Sequence, residues 1–180
     1  TITMLSTYLL YINPIYVNSK ESYDTKKASF QIMAIKETGG YAENGGPVEK
    51  NVLLYDSCLL VDLFWITEKL NLSITTAESP HLLSDKISNY LTENSTIESN
   101  YYTEMLDGYQ TAFSDTQKGT EFKISKSDSF LYFFFREGSD KVYAYSPYLG
   151  NISTTLGAPL TKTTSKDGKT TYWVPIVMFL

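Results

Sequence analysis

The sequence predicts an α+β fold: small antiparallel sheets each packed on a helix, arranged as two related β-rich modules with a helical insertion between them. Three observations carry that prediction. Period-two alternation punctuated by turn residues dominates both ends of the chain. Apolar residues fall at helical spacing in the middle. The two β-rich parts also echo one another at a nearly constant offset.

A first strand-like stretch runs over 8–17, broken near Asn13-Pro14. A second runs over 30–36 and ends in the turn-rich Gly39-Gly40 and Asn44-Gly45-Gly46-Pro47. Residues 52–55 predict a third strand, Asp56-Ser57 a turn, and 59–61 a short strand after it. A helix should begin at Asp62, because an N-cap aspartate satisfies free backbone N–H groups and contributes roughly 1 kcal/mol. Leu63, Ile66, Thr67 and Leu70 form its apolar face, and Asn71 stands where a left-handed residue ends a helix. Residues 72–76 read as another strand.

Between 77 and 116 the period changes. Leu82, Leu83, Ile87, Tyr90 and Leu91 share one helical stripe. Ser95 with Glu98 makes a capping box, and Ile97, Tyr101, Met105, Tyr109 and Phe113 follow at spacings of four. Gly108 weakens that second helix by roughly 1 kcal/mol relative to alanine. After Gly119 the strand period returns over 121–125, over the dense aromatic run 130–136, and over 141–145. The run 130–136 should be central and packed on both faces. Asp167-Gly168 signals a hairpin leading into a strand over 169–174, and Pro175 suits the first position of a helix. Residues 176–180 would be that helix's first turn. Their apolar surface should pack on the sheet near 130–135.

Composition narrows the function classes. Net charge is −5, and Arg136 is the one arginine among fifteen basic residues. Nucleic-acid partners are disfavoured on both counts. Lys162, Lys166 and Lys169 read as a solvated hairpin loop. No apolar run approaches the ~20 residues of a membrane span. Residues 2–17 are apolar but lack the basic start of an intact signal peptide. Cys58 is the single cysteine and reads as a buried small hydrophobe. Sequons begin at Asn71, Asn94 and Asn151, about the number that chance supplies in a chain rich in Ser and Thr.

Candidate chemistry is sparse. His81 has Ser79 and Asp85 near it, but no strained nucleophile turn accompanies them, and a first-turn polar residue explains the histidine. Asp56, Asp62 and Glu68 frame the first helix, and Glu98, Glu104 and Asp107 line the middle one. Caps and solvated faces account for these carboxylates, although a hydrolase with dispersed carboxylates stays on the table. No cofactor, catalytic residue or metal site is expected from one histidine and one cysteine. Tyr143, Tyr145, Tyr148 and Trp173 are the candidate ligand-binding residues. Tyr143 and Tyr145 share one strand face. Two readings compete for that face: core packing, and an exposed platform for stacking sugar or peptide.

The echo between the two β-rich parts is specific at a few residues. Phe30-Gln31-Ile32-Met33-Ala34-Ile35 leads through Pro47 to Leu60-Val61-Asp62-Leu63. Phe130-Leu131-Tyr132-Phe133-Phe134-Phe135 leads through Pro159 to Trp173-Val174-Pro175-Ile176. This order of strands, and above all Asp167-Gly168-Lys169-Thr170-Thr171-Tyr172-Trp173-Val174-Pro175-Ile176, resembles the N-terminal-domain-like "stalk" module of copper amine oxidases. In the first copy Asp62 replaces the proline and Asn71 the usual glycine. The resemblance implies three domains: a first stalk-like module over 1–76, a helical insertion over 77–122, and a second module over 123–180 whose terminal helix is truncated. It also implies a non-enzymatic spacer or adhesive, secreted or on a bacterial cell surface, with an unknown protein or cell-wall polysaccharide as partner. The oxidase chemistry does not come with it, since Asn89-Tyr90 is followed by leucine and Asn100-Tyr101 by tyrosine.

Overall fold

Among the described residues the period-two segments pair into two antiparallel sheets, accompanied by two helices. The computed structural model describes residues 8–13, 24–35, 41–43, 48–77, 98–113, 119–126 and 131–179. The strands are β1 (Tyr8–Asn13), β2 (Asp24–Ile35), β3 (Tyr41–Glu43), β4 (Val48–Tyr55), β5 (Cys58–Asp62), β6 (Ser73–Ala77), β7 (Glu121–Ser125), β8 (Tyr132–Arg136), β9 (Lys141–Ser146), β10 (Gly150–Thr155), β11 (Thr161–Thr164) and β12 (Thr170–Pro175). The helices are α1 (Leu63–Lys69) and α2 (Glu98–Ala112), and a 3-10 turn spans Ile176–Phe179. The first sheet runs β1-β2-β4-β5-β12-β11, with β3 beside β2, and the second runs β10-β9-β8-β7-β6. The architecture is mixed α+β and mostly β.

The chain divides into two compact units, and their boundaries differ from the expected modules. One unit comprises 1–71 together with 161–180, and the other comprises 72–160. The expected module 123–180 is therefore split. Its strands β7 to β10 belong to the second sheet, while β12 returns to pair with β5 in the first. Val61 and Val174, equivalent anchors of the echo, are register partners within one sheet. The reason is physical: with Leu60 and Val61 both buried, the backbone of β5 is out of water, and its N–H and C=O groups on the two edges are satisfied by β4 on one side and β12 on the other.

In the first unit local chemistry sets the turns. Asp56 and Ser57 both have left-handed φ, 42° and 67°, which makes a two-residue hairpin between β4 and β5. The Asp62 carboxylate accepts from the N–H of Phe64 and of Trp65 at 3.0 and 3.3 Å, as an N-cap should. Asn71, at φ 52°, ends the helix, and its N–H donates to the Glu68 carbonyl. Leu63 and Ile66 are buried, and Trp65 packs 5.0 Å from Phe30. Pro175 closes β12 and opens a single 3-10 turn that packs on β5. Ile176, Met178 and Phe179 are buried and Val177 is half exposed; the tail belongs to the first unit, where it packs on β5, whereas the run near 130–135 that the sequence expected to support it belongs to the second.

In the second unit β8 is the middle strand of five, and Phe133, Phe134 and Phe135 are all buried. Register places Phe134 and Tyr143 on one face and Phe133, Phe135, Val142 and Ala144 on the other. Helix α2 covers the first face. Met105, Tyr109 and Phe113, four residues apart, form one core with Ala77, Phe134, Tyr143 and Tyr145. The middle helix therefore completes the core of this unit, where the sequence suggested an accessory insertion. The stripe over 82–91, Ser95 and residue 130 lie outside the described residues.

Candidate functional site

Strand β9 and helix α2 decide where the predicted aromatic residues go. Tyr143 and Tyr145 alternate with Val142 and Ala144, so both rings point to the α2 face, and each is only 1% exposed. The Tyr143 hydroxyl lies 2.7 Å from Asn151 Oδ1 and 3.0 Å from the Met105 carbonyl oxygen, and donates to that pair of acceptors. The Tyr145 hydroxyl donates to Glu104 Oε2 at 3.2 Å. This packing needs Gly108: a Cβ there would sit 2.5 Å from the Tyr143 hydroxyl oxygen and 2.7 Å from Asn151 Oδ1. The glycine that weakens the helix locally is what lets it approach the sheet.

Burial first, and the charges of Glu104 and Asp107 among the lesser causes, push the Tyr143 phenol well above its ordinary range. Burial and then the bond to Glu104 do the same for Tyr145. Both phenols stay protonated donors, which suits a structural clamp and not a base.

At the end of β8 a second arrangement is buried on the same face. Arg136 Nη2 lies 2.9 Å from Glu121 Oε1, and both side chains are about 1% exposed. The guanidinium carbon sits 5.0 Å from the centre of the Phe113 ring. Burial, then the neighbouring Glu121, raises the Tyr109 phenol. Sequence reasoning missed this pair. Its available signal was the only arginine of the chain, placed at the end of an all-apolar strand where an unpaired charge could not be tolerated.

The four aromatic candidates do not meet as an exposed platform. Trp173 is buried in the first unit, where its Nε1 donates to Thr163 Oγ1 at 2.7 Å. On the opposite face of β12, Tyr172 packs edge-on against Phe64 at 6.2 Å, with Lys162 Nζ 5.7 Å from its ring centre. Only Tyr148 is open, at 83% exposure, and its partners in exposure are ones the sequence did not single out: Leu149 at 57% and Ile152 at 44%. These three occupy the β9–β10 hairpin. Pro147 sits second in its turn, the Leu149 N–H donates to the Ser146 carbonyl, the Tyr148 N–H donates to Ser146 Oγ, and Gly150 takes φ 70°. The tip is apolar and its turn is closed by two hydrogen bonds.

The remaining chemical candidates are dispersed. Ser79, His81 and Asp85 lie outside the described residues. Asp56 is exposed in its turn, Asp62 caps α1, and Glu68 is exposed beside Lys69. Glu104 and Asp107 are exposed on α2. Among the described residues no group of three His, Cys, Asp or Glu could hold a metal ion. Cys58 is partly buried, which raises its thiol pKa and keeps it a poor nucleophile. Among the described residues no helix is long and apolar enough to cross a membrane. No family model, curated protein or solved structure matches the chain.

Proposed function

We propose that this chain is a non-catalytic interaction module, a spacer or adhesive that is secreted or displayed at a cell surface, and that the β9–β10 hairpin is its contact surface. The observation that carries this reading is the exposure of Tyr148, Leu149 and Ile152 on one hairpin, whose turn is closed by two hydrogen bonds to Ser146. Scattered apolar side chains are ordinary on a surface, whereas three on one hairpin make a patch that gains from being covered. The strongly perturbed phenols beside it are engaged in internal bonds or held beside buried charges, which supports a scaffold role over catalysis. The extracellular setting, the bacterial source and the relation of residues 123–180 to a stalk module rest on the sequence resemblance alone.

The test is a selection from a displayed random-peptide library on the intact chain, followed by binding to the Tyr148→Ser, Leu149→Ser, Ile152→Ser variant. Peptides that lose about tenfold or more in affinity while the variant keeps its melting temperature support the reading. Binders that ignore the hairpin would overturn it. Co-sedimentation with insoluble cell-wall polysaccharide decides the other partner class. Retention that vanishes with Tyr148→Ser alone would replace a protein partner by a sugar stacked on that ring.

A further inference from the structure

We infer that the free edge of β10 is a docking site for an extended segment of another protein, one that alternates basic with apolar side chains. This rests on the reading of the hairpin as a contact surface. Among the described residues strand β10 ends the second sheet, and residues 151–155 are exposed on both faces. An edge strand presents a row of N–H and C=O groups to any strand that can align with it, and most proteins guard such edges with lysine, proline, bulges or short length. β10 has six residues, and Asn151-Ile152-Ser153-Thr154-Thr155 contains no charge and no proline. The other two edges with described side chains differ. β11 has four residues and carries Lys162. β6 is half covered, with Ile74 and Thr75 partly buried and Ala77 buried.

The chemistry of the occupant follows from the two faces. Register puts Asn151 opposite Tyr145 and Ser153 opposite Tyr143, so these residues face α2. Helix α2 packs on β9 and β10, carries Glu98, Glu104 and Asp107, and has no basic residue. Glu104 accepts from Tyr145, and both Glu104 and Asp107 act on the Tyr143 phenol, which is itself bonded to Asn151. Side chains of an added strand on this face would lie beside two exposed carboxylates, which selects lysine or arginine. On the other face they would flank Ile152, with Tyr148 and Leu149 at the tip, which selects apolar residues. A second copy fits poorly. Two-fold antiparallel pairing of β10 with itself would set both α2 helices on the same face of the joined sheet and bring their carboxylates together.

The test uses the intact chain and three labelled octapeptides, read by fluorescence anisotropy at low salt. One alternates lysine with valine. One alternates glutamate with valine. The third is the lysine peptide N-methylated at two adjacent central residues, which blocks both of its edges. The lysine peptide should bind at least about tenfold tighter than the glutamate peptide, and the Glu104→Gln, Asp107→Asn variant should erase that preference. N-methylation should abolish binding. Equal binding of the methylated peptide would overturn strand docking while leaving the hairpin reading intact, since side-chain contact alone would then suffice. Failure of all three peptides beside a successful library selection would likewise overturn the edge and spare the hairpin. Concentration-dependent dimers in sedimentation velocity that Ile152→Lys dissociates would make a second copy the occupant and overturn the inference.

Discussion

Two hairpins of this chain end in edge strands and solve the same problem in opposite ways. The β11–β12 hairpin turns through Ser165, Lys166, Asp167 and Gly168, closed by the Gly168 N–H donating to the Ser165 carbonyl, and its edge strand carries Lys162. The β9–β10 hairpin turns through Pro147, Tyr148 and Leu149 and leaves an uncharged edge behind it. Both use a glycine at positive φ, Gly168 at 82° and Gly150 at 70°. The closing N–H comes from Leu149 in one turn and Gly168 in the other, but the left-handed residue is Gly168 itself in one and Gly150, one position later, in the other, so the hairpins differ in backbone as well as in side chains. A charged tip with a lysine on the edge repels further strands, while an apolar tip with a bare edge invites them.

That contrast can be broken most severely from below. The bare hairpin is held by the second sheet and by α2, so Glu121→Gln should cost about 3–5 kcal/mol by leaving the Arg136 charge buried without its carboxylate. Urea melts measure it, and a loss below about 1 kcal/mol would mean that the pair is relieved by water. Gly108→Ala should cost about 1–3 kcal/mol through overpacking against Tyr143 and Asn151. It should also raise amide exchange in β10 before it raises exchange in β11. Gly150→Ala and Gly168→Ala should each cost about 1–2 kcal/mol, because both place a Cβ in left-handed backbone. A cost below about 0.5 kcal/mol at either position would show that its turn relaxes out of left-handed backbone. Tyr148→Ser with Leu149→Ser should change stability by less than about 0.5 kcal/mol, since these side chains are already in water. A large drop in melting temperature would place them in the core.

The smallest effect separates the hairpins by pH. The Ser165 hydroxyl donates to the Asp167 carboxylate and, as the largest cause, holds its pKa below the ordinary value. A depressed carboxylate adds stability above its unfolded-state pKa, near 3.8, and loses it as pH falls through the folded value. The protection of the Gly168 amide, corrected for the intrinsic pH dependence of exchange, should therefore fall on acidification below that range. The β9–β10 turn contains no carboxylate and should show no such acid step.

How much of this was legible in the sequence depends on burial. Strands with a patterned interior were readable: 52–55, 121–125 and 141–145 all lie within observed strands, as do residues 132–136 of the aromatic run. So were the Asp62 cap, the left-handed Asn71 and the Asp167-Gly168 turn, where a single residue type settles the backbone. Strand β10 was not readable, because an edge exposed on both faces has no reason to alternate, and β11 was not, because its partly buried face carries the threonines Thr161 and Thr163 in place of apolar residues. The same absence of pattern hid the hairpin. Tyr143 and Tyr145 drew attention as a same-face pair, and that pairing marks the core under α2, whereas the exposed residues beside them carry no periodic signal. The return of β12 to β5 depends on register between distant segments, which local sequence does not encode.

That return has a consequence for synthesis. Until β12 leaves the ribosome, β5 lacks its partner, while the whole of 72–160 must be made in between. At ordinary elongation rates the wait is on the order of ten seconds. During it the Leu59-Leu60-Val61 stretch, apolar and extended, stands available to any passing strand. The inner unit is continuous in sequence and can close on its own as it emerges, whereas the outer one must stay open until its missing strand arrives. Nascent chains arrested at residue 160 should therefore bind holdase chaperones through 58–62, and chains carrying an added C-terminal linker long enough for β12 to clear the exit tunnel should release them.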